Sequence, residues 1–234
     1  MSKYLHLVNS IKIHLLGEYM EKLLTLIQKI KYKFSMDRKR FVLTHIRKHR
    51  PNSILEIGVF NGFFAERMLK SASFYSNKKI SYTGVDLFEE MSKDIYLKEL
   101  SLKADKEEKV YKKLKLQSVN VKLLKGFSKT ILPQLVGETF DLIIIDGGHS
   151  YETVLNDFEF AKKLLSKKGV IFFDDYVNKQ AVAIEAWGIN RVVDSIDRSV
   201  YNVKKSIIFD AFPKPWGVLT TRMVKVHKKS KSFR

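Results

Sequence analysis

The sequence predicts an α/β fold, a doubly wound and mostly parallel sheet with helices on both faces. Short apolar runs alternate with helix-period segments from residue 53 to about residue 187, the order that builds parallel strands joined by crossover helices. The runs are apolar at nearly every position, as strands covered on both sides are. Several of them stop at an acid or a glycine, and ligands of open parallel sheets bind at those carboxyl ends.

Taken in order, residues 4–34 place Leu16, Met20, Leu23, Leu24, Ile27 and Ile30 at spacings of three and four, which predicts one or two helices broken near Gly17. This stripe is expected to pack on the core or on a second subunit, as in a homodimer. Its lysine-bearing face also suits peripheral contact with a membrane surface. A helix over about 37–48 follows Ser35, a capping residue, and stops at Pro51. Strands are expected at 53–58, 80–88, 119–126, 140–146 and 169–175. Helical segments at 62–72, 151–165 and near 179–187 separate them, and the charged stretch 89–118 predicts a helix or lid beside the site. Two last runs, 206–213 and 217–226, flank a Pro-containing turn and predict a terminal hairpin. The expected domains are a basic helical extension (1–50), a central domain (51–226) and a basic tail (227–234).

Composition narrows the function classes. With 234 residues, 45% hydrophobic and 29% charged, the chain reads as globular rather than disordered. The absence of cysteine excludes disulfides, thiolate catalysis and thiolate metal sites, and fits a reducing compartment. No apolar run reaches the ~18 residues of a spanning helix, and the N-terminus lacks a secretory signal pattern, so a cytoplasmic location is expected. The net charge of +18 is unevenly spread: residues 1–50 hold 12 Lys/Arg against 3 Asp/Glu, and residues 214–234 hold 7 against none. Basic ends suit RNA, acidic lipid or an acidic partner, and equally suit a plain solvated surface.

Four strand ends carry candidate chemistry. The first runs into Glu56-Ile57-Gly58-Val59-Phe60-Asn61-Gly62, where two glycines allow close backbone approach to a ligand. Phe60 stands where the dinucleotide fingerprint has its middle glycine, and a tight strand-to-helix turn is the competing explanation. The second ends in Asp86, 24 residues after Gly62, a carboxylate suited to a ribose diol or to a helix cap. The fourth and fifth supply Asp146 and the pair Asp174–Asp175. If their strands are adjacent, these acids converge, and their repulsion calls for a cation or a shared proton. A hard divalent cation such as Mg²⁺ prefers such oxygens.

These blocks resemble class I S-adenosylmethionine-dependent methyltransferases, in particular the small-molecule O-methyltransferase branch that includes macrocin-type sugar enzymes. The likeness runs from about Ser53 to Val226 through ILEIGVFNGFFAERM, YTGVDLF, FDLIIIDGGHSYETVLNDFEFAKKLLSKKGVIFFDDY and GINRVVDSI. It implies a Rossmann-like seven-stranded sheet with an antiparallel last strand. It assigns Glu56, Gly58 and Gly62 to the loop around the methionine part of S-adenosyl-L-methionine and Asp86 to its ribose. Phe127 and Ser128 match positions that flank the adenine. Asp146 borders the cofactor and, with Asp174 and Asp175, matches the ligands of a divalent ion in metal-dependent members. Catechol-type members carry a lysine base three residues after the first metal acid; His149 stands there, with an ordinary pKa suited to proton abstraction near neutrality.

The expected reaction is metal-assisted methyl transfer to a hydroxyl of a small molecule or sugar, with His149 as base. Three alternatives stay open: an RNA methyltransferase working through the basic termini, a nicotinamide-dependent oxidoreductase on the same sheet, and a non-catalytic Rossmann-like binding module.

Overall fold

The apolar runs form one sheet. Its strands are β1 Ser53–Ile57, β2 Ile80–Asp86, β3 Val119–Lys125, β4 Phe140–Ile145, β5 Leu165–Val177, β6 Tyr201–Lys214 and β7 Gly217–Lys228, in the order β3-β2-β1-β4-β5-β7-β6. Strands β1 to β5 pair in parallel, whereas β7 runs antiparallel to both neighbours, β5 and β6. The chain winds outward from β1 to β3 and then returns to place β4 beside β1, so the direction of winding reverses between these two strands. In open α/β sheets that reversal opens a crevice at the carboxyl edge.

The computed structural model describes residues 37–99, 104–115, 119–178, 187–214 and 217–229. The helices expected within 4–34, the Ser35 cap and nearly all of the segment expected near 179–187 lie outside these residues. The helices described are α1 Arg40–His49, α2 Phe63–Tyr75, α3 Lys93–Glu99, α4 Glu107–Leu114, α5 Ser128–Ile131, α6 Tyr151–Leu164 and α7 Gly188–Ser195. No helix among the described residues is long and apolar enough to cross a membrane.

Each central strand is buried on both faces because alternate side chains enter separate cores. On one face Ile54, Leu142, Ile144 and Phe172 pack under α1, α2 and α4 through Val42, Ile46, Met68 and Leu114. On the other, Leu55, Ile143, Ile171 and Phe173 pack under α6 and α7 through Val154, Ala161, Val192 and Val193. From Arg38 onward the chain forms one compact unit, and α1 lies within it. Its apolar side is Val42 and Ile46, one turn apart and both buried. It ends at Arg50, whose left-handed backbone (φ 49°) returns its N–H to the Ile46 carbonyl, one residue before Pro51.

Three elements differ from expectation. β5 begins at Leu165, directly after α6 and ahead of the apolar run at 169, because Leu165 already pairs with Phe140 across the sheet. α7 covers Gly188–Ser195, where no helix is expected; its apolar face is only Ile189, Val192 and Val193, too short a pattern to stand out. β6 starts at Tyr201 rather than 206, since Tyr201 to Lys205 pair with β7 despite alternating with polar residues.

The contact between α1 and β7 depends on a neutral histidine. The His45 ring stacks on His49 (centroids 4.3 Å), meets Phe172 edge-on and lies 3.3 Å from Lys225 Nζ. Burial above all, then the charges of Lys225, His49, His227 and Lys48, push its pKa down to about 3. The unfolded chain takes up this proton at the ordinary imidazole value of about 6.5. Stability present above that value is therefore lost as pH falls toward the folded value. Thermal unfolding should give a lower Tm at about pH 5 than at about pH 7, and His45→Phe should flatten the difference. An unchanged difference in that variant would contradict the assignment.

Candidate active site

The crevice between β1 and β4 is built by backbone first. Gly58 follows β1 with φ 91°, and a Cβ there would lie 2.1 Å from the Asp146 carbonyl oxygen, so only glycine allows the two loops to touch. Asp146 N–H donates to the Ile57 carbonyl at 2.8 Å, closing the same contact. Phe60, at the fingerprint's glycine position, adopts a left-handed φ of 55°. The backbone thus keeps the shape that glycine usually supplies, at a strain of about 1–3 kcal/mol.

Asp86 holds that loop in place. One of its oxygens accepts the Val59 and Phe60 N–H groups at 2.7 and 2.8 Å, and the other accepts Phe88 N–H at 2.8 Å. Glu56 turns inward: it is buried, accepts the Tyr82 hydroxyl, and burial pushes its carboxyl up to about 8. It supports the loop from beneath rather than lining its surface. Gly62 caps α2 with φ 71°. Phe127 and Ser128 follow β3, two strands away from β1, with the Phe127 ring exposed at the sheet's carboxyl edge and Ser128 opening α5.

Asp146, Asp174 and Asp175 do converge. One carboxylate oxygen from each lies within 4.8 Å of the others. β4 and β5 are parallel neighbours with Ile145 opposite Phe173, which puts Asp146 beside the end of that register. Adjacent residues of a regular strand point to opposite faces, so Asp174 and Asp175 should diverge. A bulge prevents this. Phe173 pairs with Val224 and Tyr176 with Arg222, leaving one extra residue on β5, and Asp175 takes a left-handed φ of 53°. The kink turns both acids to the same side.

The cations that meet them belong to the chain. Arg38 donates from Nε and Nη2 to the two oxygens of Asp174 at 2.5 and 3.0 Å, from Nη2 to Asp175 at 2.8 Å, and from Nη1 to Asp210 on β6 at 2.5 Å. Lys39 Nζ lies 2.9 Å from Asp146 Oδ2 and 3.4 Å from Asp174 Oδ2. Burial opposes ionisation of Asp174, which is 1% exposed, but Arg38 and Lys39 outweigh it and hold the carboxyl well below its usual range. Burial pushes Asp146 up, reinforced by the Asp174 charge and opposed by Lys39. A divalent ion bridging Asp146 and Asp174 would need the space that Lys39 Nζ fills and oxygens that already accept from Arg38. As placed, the residues do not fit such an ion as well.

His149 completes the cluster. Its Nδ1–H donates to the Glu99 carbonyl at 2.8 Å, and Nε2 faces Asp175 Oδ2 at 3.3 Å. Burial works against its protonation, yet the Asp175 hydrogen bond and charge prevail and leave its pKa raised. The ring packs at a tilt of 31° against Trp187 (centroids 4.5 Å), whose Nε1–H donates to the Asp175 carbonyl at 2.8 Å. Glu99, at the end of α3, also accepts Ser150 N–H and the Ser150 and Thr153 hydroxyls, all at 3.0 Å. The stretch expected to lie beside the site therefore clamps the His149 loop.

Of the residues singled out from sequence, the structure joins Asp146, Asp174, Asp175 and His149 directly and ties Gly58 to them through backbone. Asp86 acts on the Gly58 loop, and Glu56 lies beneath it. Arg38, Lys39 and Asp210 are not legible as site residues. Arg38 and Lys39 fall within a run of basic residues that reads as surface charge, and no local pattern links them to acids more than 100 positions away.

Comparison with known proteins agrees with this fold. The family model for a methyltransferase domain matches residues 55–176, more than half of the chain. An uncharacterized protein, R132, of Acanthamoeba polyphaga mimivirus is 28% identical over 217 residues, covering 87% of this chain and 91% of that protein. Among solved structures, an O-methyltransferase from Bacillus cereus in complex with SAH superposes with a TM-score of 0.53 at 16% identity, covering 87% of this chain and 89% of that one. The O-methyltransferase TomG from Streptomyces achromogenes, involved in tomaymycin synthesis and solved with SAM, gives 0.53 at 13% identity over 82% and 79%. The SAH-bound methyltransferase PaMTH1 from Podospora anserina gives 0.52 at 18% identity over 82% and 78%.

If Asp86 pins the loop, Asp86→Ala strands three backbone donors and should lower unfolding free energy by about 1–3 kcal/mol in denaturant titration. Asp86→Asn keeps one acceptor oxygen and should lose less. Equal stability in all three proteins would contradict the role.

Proposed function

The chain belongs to the methyltransferase-domain family, and from that premise we propose that it transfers the methyl group of S-adenosylmethionine to a hydroxyl of a small acceptor. One observation carries the reading. The glycine loop after β1 and the Asp146–His149 loop after β4 touch through Gly58 and the Asp146 carbonyl. A cofactor laid along the first loop is thereby next to the polar cluster on the second. The O-methyltransferase neighbours, and TomG's part in tomaymycin synthesis, support a small hydroxylated acceptor.

The chemistry fits the residues present. The sulfonium of the cofactor makes its methyl carbon electrophilic without help from the protein, so the hydroxyl is the partner that needs activation. His149 donates through Nδ1 to a carbonyl, which fixes the neutral ring as the Nδ1–H tautomer and leaves the Nε2 lone pair facing the cluster. Nε2 takes the proton of an acceptor hydroxyl that enters beside Asp175, and Asp175 stabilises the imidazolium that forms. Trp187 and Glu99 keep the ring in that orientation. Holding oxygen, methyl carbon and sulfur in line supplies a further part of the rate, up to about 7–11 kcal/mol in favourable cases.

Isothermal titration separates this reading from a nicotinamide-dependent oxidoreductase. The protein should bind S-adenosylhomocysteine and not NADH, and the reverse preference would sink it. With an acceptor found by methyl-release screening, His149→Ala should lower kcat by roughly two to four orders of magnitude. A change confined to KM would assign His149 to structure.

A further inference from the structure

Building on the methyl-transfer reading above, we infer that Lys39, seated by Arg38, occupies the position between Asp146 and Asp174 that a divalent ion would take, so that transfer by this chain needs no divalent metal.

The geometry is that of a bridging cation. Lys39 Nζ contacts oxygens from both strand ends, 2.9 Å from Asp146 and 3.4 Å from Asp174. A hard divalent ion bridging the same two carboxylates would sit in the same gap, with oxygens at about 2.0–2.6 Å. Arg38 takes up the rest of the cluster. Its planar fork grips both oxygens of Asp174 and reaches Asp175 and Asp210 from the same guanidinium. Two adjacent side chains thus bring the two positive charges that one divalent ion would bring.

Their placement is built into the fold. Arg38 and Lys39 directly precede α1, and α1 is anchored in the core by Val42 and Ile46. The Lys39 ammonium lies over the Phe64 ring at 4.3 Å, a contact that favours a cation there. Arg38 N–H also donates to Asp210, so backbone and side chain hold the same position. Lys39 and Arg38 are positioning residues: they fix the acids in one arrangement, with Asp175 beside His149.

The test uses the full chain, stripped with chelator, and reads Mn²⁺ binding by electron paramagnetic resonance beside S-adenosylhomocysteine affinity by calorimetry. Wild type should leave millimolar Mn²⁺ in its free spectrum and bind S-adenosylhomocysteine equally with and without chelator. The Arg38→Ala/Lys39→Ala double variant should gain a Mn²⁺ site roughly tenfold or more tighter, and adding Asp174→Asn should remove it. Wild-type Mn²⁺ binding that Asp174→Asn abolishes would overturn the inference. So would a double variant that still binds S-adenosylhomocysteine yet gains no Mn²⁺. If the double variant fails to fold, Lys39→Met takes its place under the same two criteria. Failure of wild type to bind S-adenosylhomocysteine would instead defeat the methyl-transfer reading, leaving the Mn²⁺ result to stand by itself.

Discussion

Carboxylates gathered at neighbouring strand ends repel one another, and the carboxyl edge of this sheet depends on how that repulsion is offset. Asp146 and Asp174 project from the adjacent ends of β4 and β5, and the bulge in β5 adds Asp175. Without counter-charge, burying them would drive protons on or push the strand ends apart. Arg38 and Lys39 supply that charge from the segment leading into α1. Buried ion pairs contribute little net stability relative to an apolar substitute, but removing one partner from such a pair typically costs about 3–5 kcal/mol. The arrangement is therefore better understood as fixing geometry than as strengthening the fold.

That fixed geometry reaches the rest of the site through short links. Asp146 bonds by its backbone to Ile57 and abuts Gly58, so the acid cluster and the glycine loop are joined directly. Asp175 faces His149 and, through its carbonyl, Trp187; Glu99 holds the other side of the imidazole. The site is assembled from the ends of β1, β4 and β5, the end of α3 and the starts of α1 and α7. Elements so far apart in sequence meet because the sheet reverses its winding between β1 and β4.

Much of the frame is legible in the sequence because local chemistry specifies it. Phe140 to Ile145 can hardly be anything but a buried strand, and an acid followed by two glycines marks where it ends. The hairpin of β6 and β7 follows from two apolar runs about a proline turn, and the antiparallel β7 matches the expected last-strand reversal. What is not legible depends on distant partners. The β5 bulge exists only in register with β7, so nothing in Phe173-Asp174-Asp175-Tyr176 announces that both acids turn the same way. Glu56 lies in the expected loop motif, but its inward turn depends on Tyr82 from the next strand. Arg38 and Lys39 look like part of a basic terminus because their partners are 107 to 172 positions away. Sequence indicates which strand ends carry acids; only the fold shows that they converge and which cations meet them.

The chemistry of this edge therefore depends on what lies between Asp146 and Asp174. The most direct measurement is an anomalous difference map from crystals grown with S-adenosylhomocysteine and Mn²⁺. The expected map shows the cofactor product along the Gly58 loop, the Lys39 ammonium between the two acids and no manganese peak there. A manganese peak coordinated by Asp146, Asp174 and Asp175, with Arg38 and Lys39 displaced, would contradict it.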